Sequence, residues 1–324
     1  MRALQYSKFG TPADVLGVAE VETPQPGVGQ VLVESLLSPI HNHDLWTIAG
    51  SYGYKPDLPA IGGSEAVGRV AAVGPDVEDR WIGKRVVASG NGTWAGAYLT
   101  RAAGLMEVPE AIPDEAAAQL VAMPFSSIAL LEWLKLESGD WLIQNAANGA
   151  VGKLVAKLAR PRGIKVLSLV RRAEAVAELE ALGMAPVIST DTENWVSRAR
   201  EIVGEDGARA AVDSVGGKVV DGMADLLGYK GTLVVFGSVG GNPMVLQTGP
   251  IIFKQLAIKG FWGARAIGEF PEADRGRMMG ELVALAAKGE LPLDVDGIHE
   301  LADYRDALAA AQEPGRKGKV LLRP

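Results

Sequence analysis

The stretch Trp141-Leu-Ile-Gln-Asn-Ala-Ala-Asn-Gly-Ala-Val-Gly-Lys-Leu-Val-Ala-Lys-Leu-Ala-Arg160 decides how the rest of the chain is interpreted. Its opening apolar run, 141–143, has the length and composition of a buried parallel strand. Small residues follow at 145–149, and then apolar residues recur at the spacing of one helix face. Basic residues and helix breakers at 160–163 suit a helix C-terminus. The stretch therefore predicts a strand, a tight turn and a helix.

Within this unit, Ala147-x-Gly149-x-x-Gly152 stands where a dinucleotide-binding turn carries GxGxxG. Gly149 lets a pyrophosphate approach the backbone, and the helix N-terminus offers it unpaired N–H groups. The predicted phosphate-binding residues are Asn148, Gly149, Ala150, Val151 and Gly152. Because the first glycine is missing, an ordinary small-residue turn between a strand and a helix remains the alternative interpretation.

A basic pair, Arg171-Arg172, follows the next strand-like run, 165–170. A dinucleotide fold usually has an acidic residue here, about 20 residues past the glycines, to bind the ribose hydroxyls. Two guanidinium groups favour a 2′-phosphate instead, and hence NADPH over NADH. The alternative is a solvated helix start that happens to be basic, although cations there oppose the helix dipole.

Composition limits the classes of protein that the chain can represent. It has 324 residues, 48% hydrophobic and 22% charged, which suits a globular protein of two domains. The net charge of −7 and the lack of a basic tract argue against a nucleic-acid partner. There is no cysteine, so disulfides and thiolate metal sites are excluded. No apolar stretch approaches the roughly 20 residues of a membrane span. Residues 1–6 resemble a strand, not a targeting peptide, so we expect a cytoplasmic protein.

The hydrophobic pattern changes along the chain. Residues 1–118 contain short β-like runs separated by Gly and Pro, which predicts a mostly β, barrel-like domain. Residues 116–136 are helical in composition, with a break expected at Pro124. Strand-like and helical segments then alternate, which predicts βαβ units and a parallel sheet. A helix at 172–182 is one of these segments, and a final strand is expected at 318–322.

With these segments in view, the chain resembles the medium-chain dehydrogenase/reductase superfamily, and within it the mitochondrial-type 2-enoyl thioester reductases and quinone oxidoreductase-like proteins. The resemblance covers nearly the whole chain. It is carried by six segments: 50–53, 58–63, 144–152, 213–218, 231–238 and, most specifically, Ile252-Phe-Lys-Gln-Leu-Ala-Ile-Lys-Gly-Phe-Trp262.

The resemblance implies an α/β architecture. A GroES-like, mostly-β catalytic domain would comprise 1–118 and 264–324, and a Rossmann domain with a doubly wound parallel sheet would comprise 119–263. The active cleft would lie at their junction. Members of the superfamily usually form homodimers through the nucleotide-domain sheet.

The resemblance also argues against zinc. Zinc-dependent relatives bind the metal through a Cys-His-x-Asp segment and a His before a Glu. This chain has His41-Asn-His-Asp44 and Gly63-Ser64-Glu65 at those places. Two histidines at i and i+2 without a clear third ligand make a poor site, so we predict no metal. We interpret His41 and His43 as loop or cleft-wall residues, and Asp44 as the cap of the helix that follows.

Reduction of an α,β-unsaturated thioester needs a hydride at Cβ and a proton at Cα. The resemblance assigns the proton donor, or the hydrogen-bond donor to the enolate, to Tyr52, with Tyr54 as the local rival. Further cofactor-binding residues implied by it are Phe236, Gly237, Ser238, Phe261, Trp262 and Lys319. Phe261 and Trp262 can alternatively be ordinary core residues.

The sequence thus predicts a zinc-independent, NADPH-dependent oxidoreductase that reduces activated C=C bonds of a small-molecule substrate. The favoured substrate is a trans-2-enoyl thioester of CoA or acyl carrier protein. Two departures weaken the choice of thioester: the group's Asn-Pro-Ser-Asp is replaced by Asn42-His43-Asp44, and its Asn-Pro by Met123-Pro124. A quinone or alkenal reductase is the alternative enzyme. A non-catalytic, crystallin-like NADPH-binding protein is the alternative of another class.

Overall fold

The computed structural model describes residues 1–241 and 243–324. The chain forms two compact units, one of residues 1–122 with 279–324 and one of residues 123–278. The domain boundaries predicted after residues 118 and 263 remain a proposal, because compactness alone does not show which segments fold independently.

The N-terminal part of the chain consists mainly of strands. They are β1 (Arg2–Tyr6), β2 (Gly17–Glu20), β3 (Gln30–Pro39), β4 (Ala60–Ile61), β5 (Glu65–Val73), β6 (Arg85–Ser89), β7 (Ala97–Arg101) and β8 (Met106–Glu107). Between and after them lie the helices α1 (Pro12–Val15), α2 (Asn42–Ala49) and α3 (Asp114–Ala117).

The middle of the chain alternates between helices and strands. Its elements are α4 (Ala122–Leu134), β9 (Trp141–Gln144), α5 (Ala150–Ala159), β10 (Lys165–Val170), α6 (Glu174–Ala181), β11 (Val187–Ser189), α7 (Trp195–Val203), β12 (Ala208–Asp213), α8 (Val219–Asp225), β13 (Leu227–Val235), α9 (Thr248–Phe253), β14 (Ala257–Gly260), α10 (Gly263–Glu269) and α11 (Glu272–Ala287). The C-terminal segment adds β15 (Val295–Glu300), α12 (Tyr304–Gln312) and β16 (Lys319–Arg323).

In the second unit, the described strands form one parallel sheet with the order β11-β10-β9-β12-β13-β14. Ile143 on β9 pairs with Leu167 on β10 and with Ala211 on β12, and all three are fully buried. Helices cover a parallel sheet on both faces, which is why these strands are almost entirely apolar. The strand order reverses between β9 and β12, and open α/β sheets bind ligands at such a switch point. The predicted doubly wound fold is confirmed.

In the first unit, the strands are mostly antiparallel, and β3 pairs with β5, β7 and β16. A three-stranded sheet of β2, β1 and β4 accompanies them among the described residues. Leu321 of β16 lies opposite Pro39 of β3, and Ile40 N–H donates to the carbonyl of Val320 at 2.9 Å. The C-terminal segment therefore returns beside the end of β3, next to His41. The predicted mostly-β, GroES-like domain is confirmed.

Of two local predictions about helices, one is wrong and one is confirmed. The helix expected over 116–136 does not break at Pro124: α3 ends at Ala117, α4 begins at Ala122, and Pro124 lies in the first turn of α4. Proline is tolerated there because the first N–H groups of a helix have no intrahelical acceptor. Asp44 does cap α2, from within its first turn: it is the N3 residue of a capping box, and its carboxylate accepts the backbone N–H of His41 at 2.9 Å.

Candidate functional site

The turn between β9 and α5 has the backbone that the sequence predicts for phosphate binding. Gly149 is the N-cap of α5 in an extended conformation, and no described side chain caps this helix end. A Cβ on Gly152 would lie 2.6 Å from both Cα and O of Ala147, so only glycine fits there. The tight bend falls on Ala146, with φ +48°, one residue before the missing glycine. An uncapped helix N-terminus is suited to an anion.

Asn145 and Asp213 connect the ends of β9 and β12, and neither was predicted as a site residue. Asn145 Nδ2 donates to Asp213 Oδ1 at 2.5 Å, and Asn145 Oδ1 accepts the N–H of Ser214 at 2.7 Å. Asp213 Oδ1 also accepts the N–H groups of Val215 and Gly216, each at 3.0 Å. These bonds fix both loops at the switch point. In the sequence, Asn145 and Asp213 can be recognised as polar residues at the ends of two apolar strands.

Arg171 and Arg172 follow directly after β10, and both are exposed. The helix predicted over 172–182 begins only at Glu174, so neither arginine lies in α6. The positive end of the helix dipole therefore repels these two guanidinium groups less than the sequence implied. The reason is that the dipole acts mainly within the first helical turn. Ser189 Oγ holds the backbone here by donating to the carbonyl of Arg171 at 3.1 Å.

The aromatic residues after β13 and β14 differ in exposure. Phe236 N–H donates to the carbonyl of Asp213 at 2.8 Å, and its ring stacks on Phe261 with 5.8 Å between centroids. Phe261 is 5% exposed and also contacts Trp133 edge-on, so it is a core residue. Trp262, at the start of α10, is 42% exposed.

The carboxyl ends of these parallel strands bring together most of the predicted cofactor residues in the second unit. They are 148–152, Arg171 and Arg172, 236–238, and Phe261 with Trp262. Lys319 belongs to the first unit, at the start of β16.

In the first unit, Tyr52 lies just after α2 and is partly buried. Its ring centroid is 5.8 Å from that of His43. Tyr54, its local rival, is 40% exposed, and its hydroxyl accepts a hydrogen bond from Asn91 Nδ2 at 3.0 Å. The two phenols therefore have different surroundings, although they are only two residues apart.

His41 and Glu65 form a buried polar pair next to His43, and sequence analysis did not predict this pair. His41 Nε2 is 2.8 Å from Glu65 Oε1, both side chains are 1% exposed, and Glu65 Oε2 accepts the N–H of Ala122. Burial raises the pKa of Glu65 to about 7 and lowers the pKa of His41 well below its ordinary value. His41 is therefore neutral at physiological pH. Burial, and then the charge of Arg316, lowers the pKa of Lys319 to about 8.

Of the two histidines interpreted as loop or cleft-wall residues, His41 directly precedes α2 and lies outside helix and strand, as a loop residue does. His43 lies within α2 and is not a loop residue, because β3 delivers the chain almost directly into that helix. His43 Nε2 lies 2.7 Å from Ser64 Oγ, and the two imidazole rings stack with 4.9 Å between centroids. Stacked rings do not direct their nitrogens to one point. Among residues 1–241 and 243–324, no three His, Asp or Glu side chains are grouped so that they could hold a metal ion.

Two family descriptions match the chain. Residues 27–110 match the alcohol dehydrogenase GroES-like domain, and residues 150–275 match the zinc-binding dehydrogenase family. A mitochondrial enoyl-(acyl-carrier-protein) reductase of Caenorhabditis elegans is 34% identical over 96% of this chain and 91% of its own length.

The chain belongs to the medium-chain dehydrogenase/reductase superfamily. This confirms the family predicted from the sequence. Two solved structures of this superfamily share its fold. A proposed NADPH:quinone reductase from Bacillus thuringiensis is 31% identical, with a TM-score of 0.93 over 100% of this chain and 98% of the other. A quinone oxidoreductase of Escherichia coli, complexed with NADPH, is 26% identical, with a TM-score of 0.89 and full coverage of both chains.

Within the described part of the chain, none of the helices is long and apolar enough to cross a membrane.

Proposed function

We propose that the protein is a zinc-independent, NADPH-dependent reductase of activated C=C bonds, and that its substrate is a trans-2-enoyl thioester of CoA or acyl carrier protein. The observation that carries the proposal is Tyr52, a partly exposed phenol held beside His43 in the first unit. The relative from Caenorhabditis elegans, named as an enoyl-(acyl-carrier-protein) reductase, supports the choice of substrate class.

The residues of the second unit fit NADPH. The cradle at Gly152 that excludes a Cβ and the uncapped start of α5 suit a pyrophosphate. Arg171 and Arg172 are exposed next to the end of β10, where they would bind the 2′-phosphate. Phe236 to Ser238 and Trp262 would border the nicotinamide. Lys319 would supply a further cation to the cofactor. The Escherichia coli quinone oxidoreductase complexed with NADPH supports this cofactor.

When bound, NADPH supplies the hydride that adds to Cβ of the substrate. The π electrons of the C=C bond then move toward the thioester carbonyl, whose oxygen becomes negative. The Tyr52 hydroxyl stabilises that oxygen by donating a hydrogen bond while water protonates Cα, or it transfers its own proton to Cα; either route completes the saturated product. In the second case, Tyr52 is left as a phenolate and recovers its proton from water. No metal is needed, because the phenol supplies the polarisation.

The second candidate is a quinone or alkenal reductase. The Bacillus thuringiensis structure, with its TM-score of 0.93, favours it. Such an enzyme needs the cofactor and a substrate cleft but no proton-donating tyrosine.

We further propose that the protein forms a homodimer in the cytoplasm, with no nucleic-acid or membrane partner. The strand β14 is the edge of the parallel sheet, and unusually exposed apolar residues lie on or near it. They are Tyr229, Ile252, Phe253 and Ile258, which are 60%, 64%, 81% and 41% exposed. A second copy would cover this surface. Light scattering should give twice the monomer mass, and Phe253→Glu should give the monomer mass.

The enzymatic proposal is tested by following NADPH oxidation with crotonyl-CoA and, separately, with a quinone. Oxidation that depends on crotonyl-CoA and yields the saturated thioester is the expected result. Turnover of the quinone alone contradicts the thioester proposal and supports the second candidate. Binding of NADPH without turnover of either substrate supports a crystallin-like binding protein.

A further inference from the structure

His43 contacts two other rings. One side of its imidazole faces the ring of His41, at 4.9 Å between centroids and 15° from parallel. The ring of Tyr52 lies at 5.8 Å and 30°. The contacts thus run in a row from the buried His41 through His43 to the phenol of Tyr52.

The row is fixed at its buried end. His41 is held by Glu65 at 2.8 Å, and Glu65 is held in turn by the backbone N–H of Ala122. His43 itself is fixed in its ring plane, because its Nε2 lies 2.7 Å from Ser64 Oγ. An imidazole that is stacked on one face and hydrogen-bonded at its edge cannot rotate without losing one of these contacts.

The backbone that carries Tyr52 has less support of its own. The helix α2 ends at Ala49, Gly50 adopts the left-handed conformation with φ +75°, and residues 51–59 form neither helix nor strand. The Tyr52 N–H donates to the carbonyl of Trp46 at 3.2 Å, which fixes where the side chain leaves the backbone. The direction of the ring is set by contacts of the side chain, and the contact with the fixed ring of His43 is one of them.

We infer that His43 is a positioning residue for Tyr52: it presents a fixed aromatic surface that holds the phenol in the orientation needed for proton donation. The inference rests on the proposed function, because it assigns His43 a role only through the hydroxyl of Tyr52. His43 does not touch the substrate in this proposal. Its contribution is geometric, and a loss of alignment of about 1 Å at a reacting group can reduce a rate by about a hundredfold.

Kinetics of single variants give the first test. His43→Ala should lower kcat for the enoyl thioester by about ten- to a hundredfold, while KM for NADPH stays unchanged. His43→Phe keeps an aromatic ring and should restore part of the lost kcat. Ser64→Ala releases the ring edge and should cause a smaller loss in the same direction. His299→Ala, on β15, is the matched control and should leave kcat unchanged.

A double-mutant cycle separates positioning from a general structural effect. In a Tyr52→Phe background, which has no hydroxyl to position, His43→Ala should cause little further loss. A full, additive loss in that background would overturn the inference. If the wild type does not reduce the thioester at all, the proposed function fails, and the role of His43 fails with it. If the wild type is active and the cycle is additive, only the inference about His43 fails.

The ring contact is also measurable without substrate or cofactor. The chain has three histidines, so their ring protons can be assigned by NMR from single variants. Loss of the aromatic ring in Tyr52→Ala should shift the His43 resonance and leave that of His299 unmoved. An unmoved His43 resonance would overturn the inference, whatever the kinetics show.

Discussion

His41 and Glu65 form a buried pair, with 2.8 Å between Nε2 and Oε1 and with each side chain only 1% exposed. The pair lies at the end of β3 and the start of β5, next to the residue that we infer to position Tyr52. Burial favours the neutral form of both groups: it raises the pKa of Glu65 to about 7 and lowers that of His41. Lys319, Arg316, His43 and Asp44 are the charged or titratable groups that influence His41.

The shifted pKa values of Glu65 and His41 predict how the free energy of unfolding depends on pH. Unfolded Glu65 and His41 titrate near 4.5 and 6.5. Just below pH 6.5, the folded pair holds one proton on Glu65 and the unfolded pair holds one on His41, so the pair contributes little slope. Above pH 6.5 only the folded pair keeps its proton, and the free energy of unfolding falls as the pH rises through about 7.

Glu65→Gln removes the carboxyl and leaves His41, whose lowered pKa makes stability rise with pH up to 6.5. From pH 5 to pH 8, the unfolding free energy of the variant should therefore rise relative to that of the wild type. Urea unfolding of both proteins at several pH values measures it. Parallel pH profiles would contradict the assigned protonation states.

Tyr52→Phe should lower kcat for the enoyl thioester by ~10²-fold or more, because it removes the proposed proton donor. Tyr54→Phe is the matched control, since the Tyr54 hydroxyl accepts a hydrogen bond from Asn91 and has different surroundings from that of Tyr52. Steady-state kinetics of the two variants decide between the phenols. An unchanged rate in Tyr52→Phe, with a loss in Tyr54→Phe, would reverse the assignment.

Replacing both Arg171 and Arg172 by alanine should weaken NADPH binding by about tenfold to a hundredfold, because charge-assisted hydrogen bonds contribute roughly 1.5–3 kcal/mol. NADH has no 2′-phosphate, so its affinity should be unchanged. Calorimetric titration of both nucleotides measures the difference. Arg198→Ala, an exposed arginine on α7, is the control. Equal losses for NADPH and NADH would contradict the assigned phosphate site.

Lys319→Met should stabilise the free protein at pH 7. Folding lowers the pKa of Lys319 from 10.5 to about 8, mainly through burial, so the charged form costs up to ~3 kcal/mol in the folded state. Above pH 8 the folded amine loses its proton and the gain from the variant shrinks. The same variant should bind NADPH more weakly if Lys319 contacts the cofactor. Thermal unfolding with and without NADPH measures both effects. Lys317→Met, at an exposed neighbour, should show neither.

Much of the nucleotide-binding unit could be predicted from local sequence. The strand β10 occupies 165–170 as predicted, and α5 covers the predicted helix after its glycine turn. Buried parallel strands and amphipathic helices leave a strong hydrophobic periodicity, so they can be recognised without knowing their neighbours. The short elements β2, β4 and β8 and the helices α8 to α10 were not predicted, because segments of two to seven residues carry too little periodicity.

Some of the site residues could likewise be predicted from local sequence, and others could not. The glycines and the basic pair were recognised by their spacing. Asn145 and Asp213 were not, because their hydrogen bond joins residues 68 positions apart. The His41–Glu65 pair could not be predicted either, since its two residues lie 24 positions apart and no local pattern links them.

The sequence by itself determined the fold class and the place of the phosphate-binding turn, because each of these depends on hydrophobic periodicity or on the spacing of a short motif. It also indicated the superfamily, through the resemblance of segments such as 252–262. Only the tertiary structure decided what surrounds Tyr52. It brought His43 into contact with both His41 and Tyr52, fixed His43 to Ser64, and buried Glu65 against His41. Those contacts join the end of β3, the helix α2 and the start of β5, and their strength comes from burial, which no local pattern records.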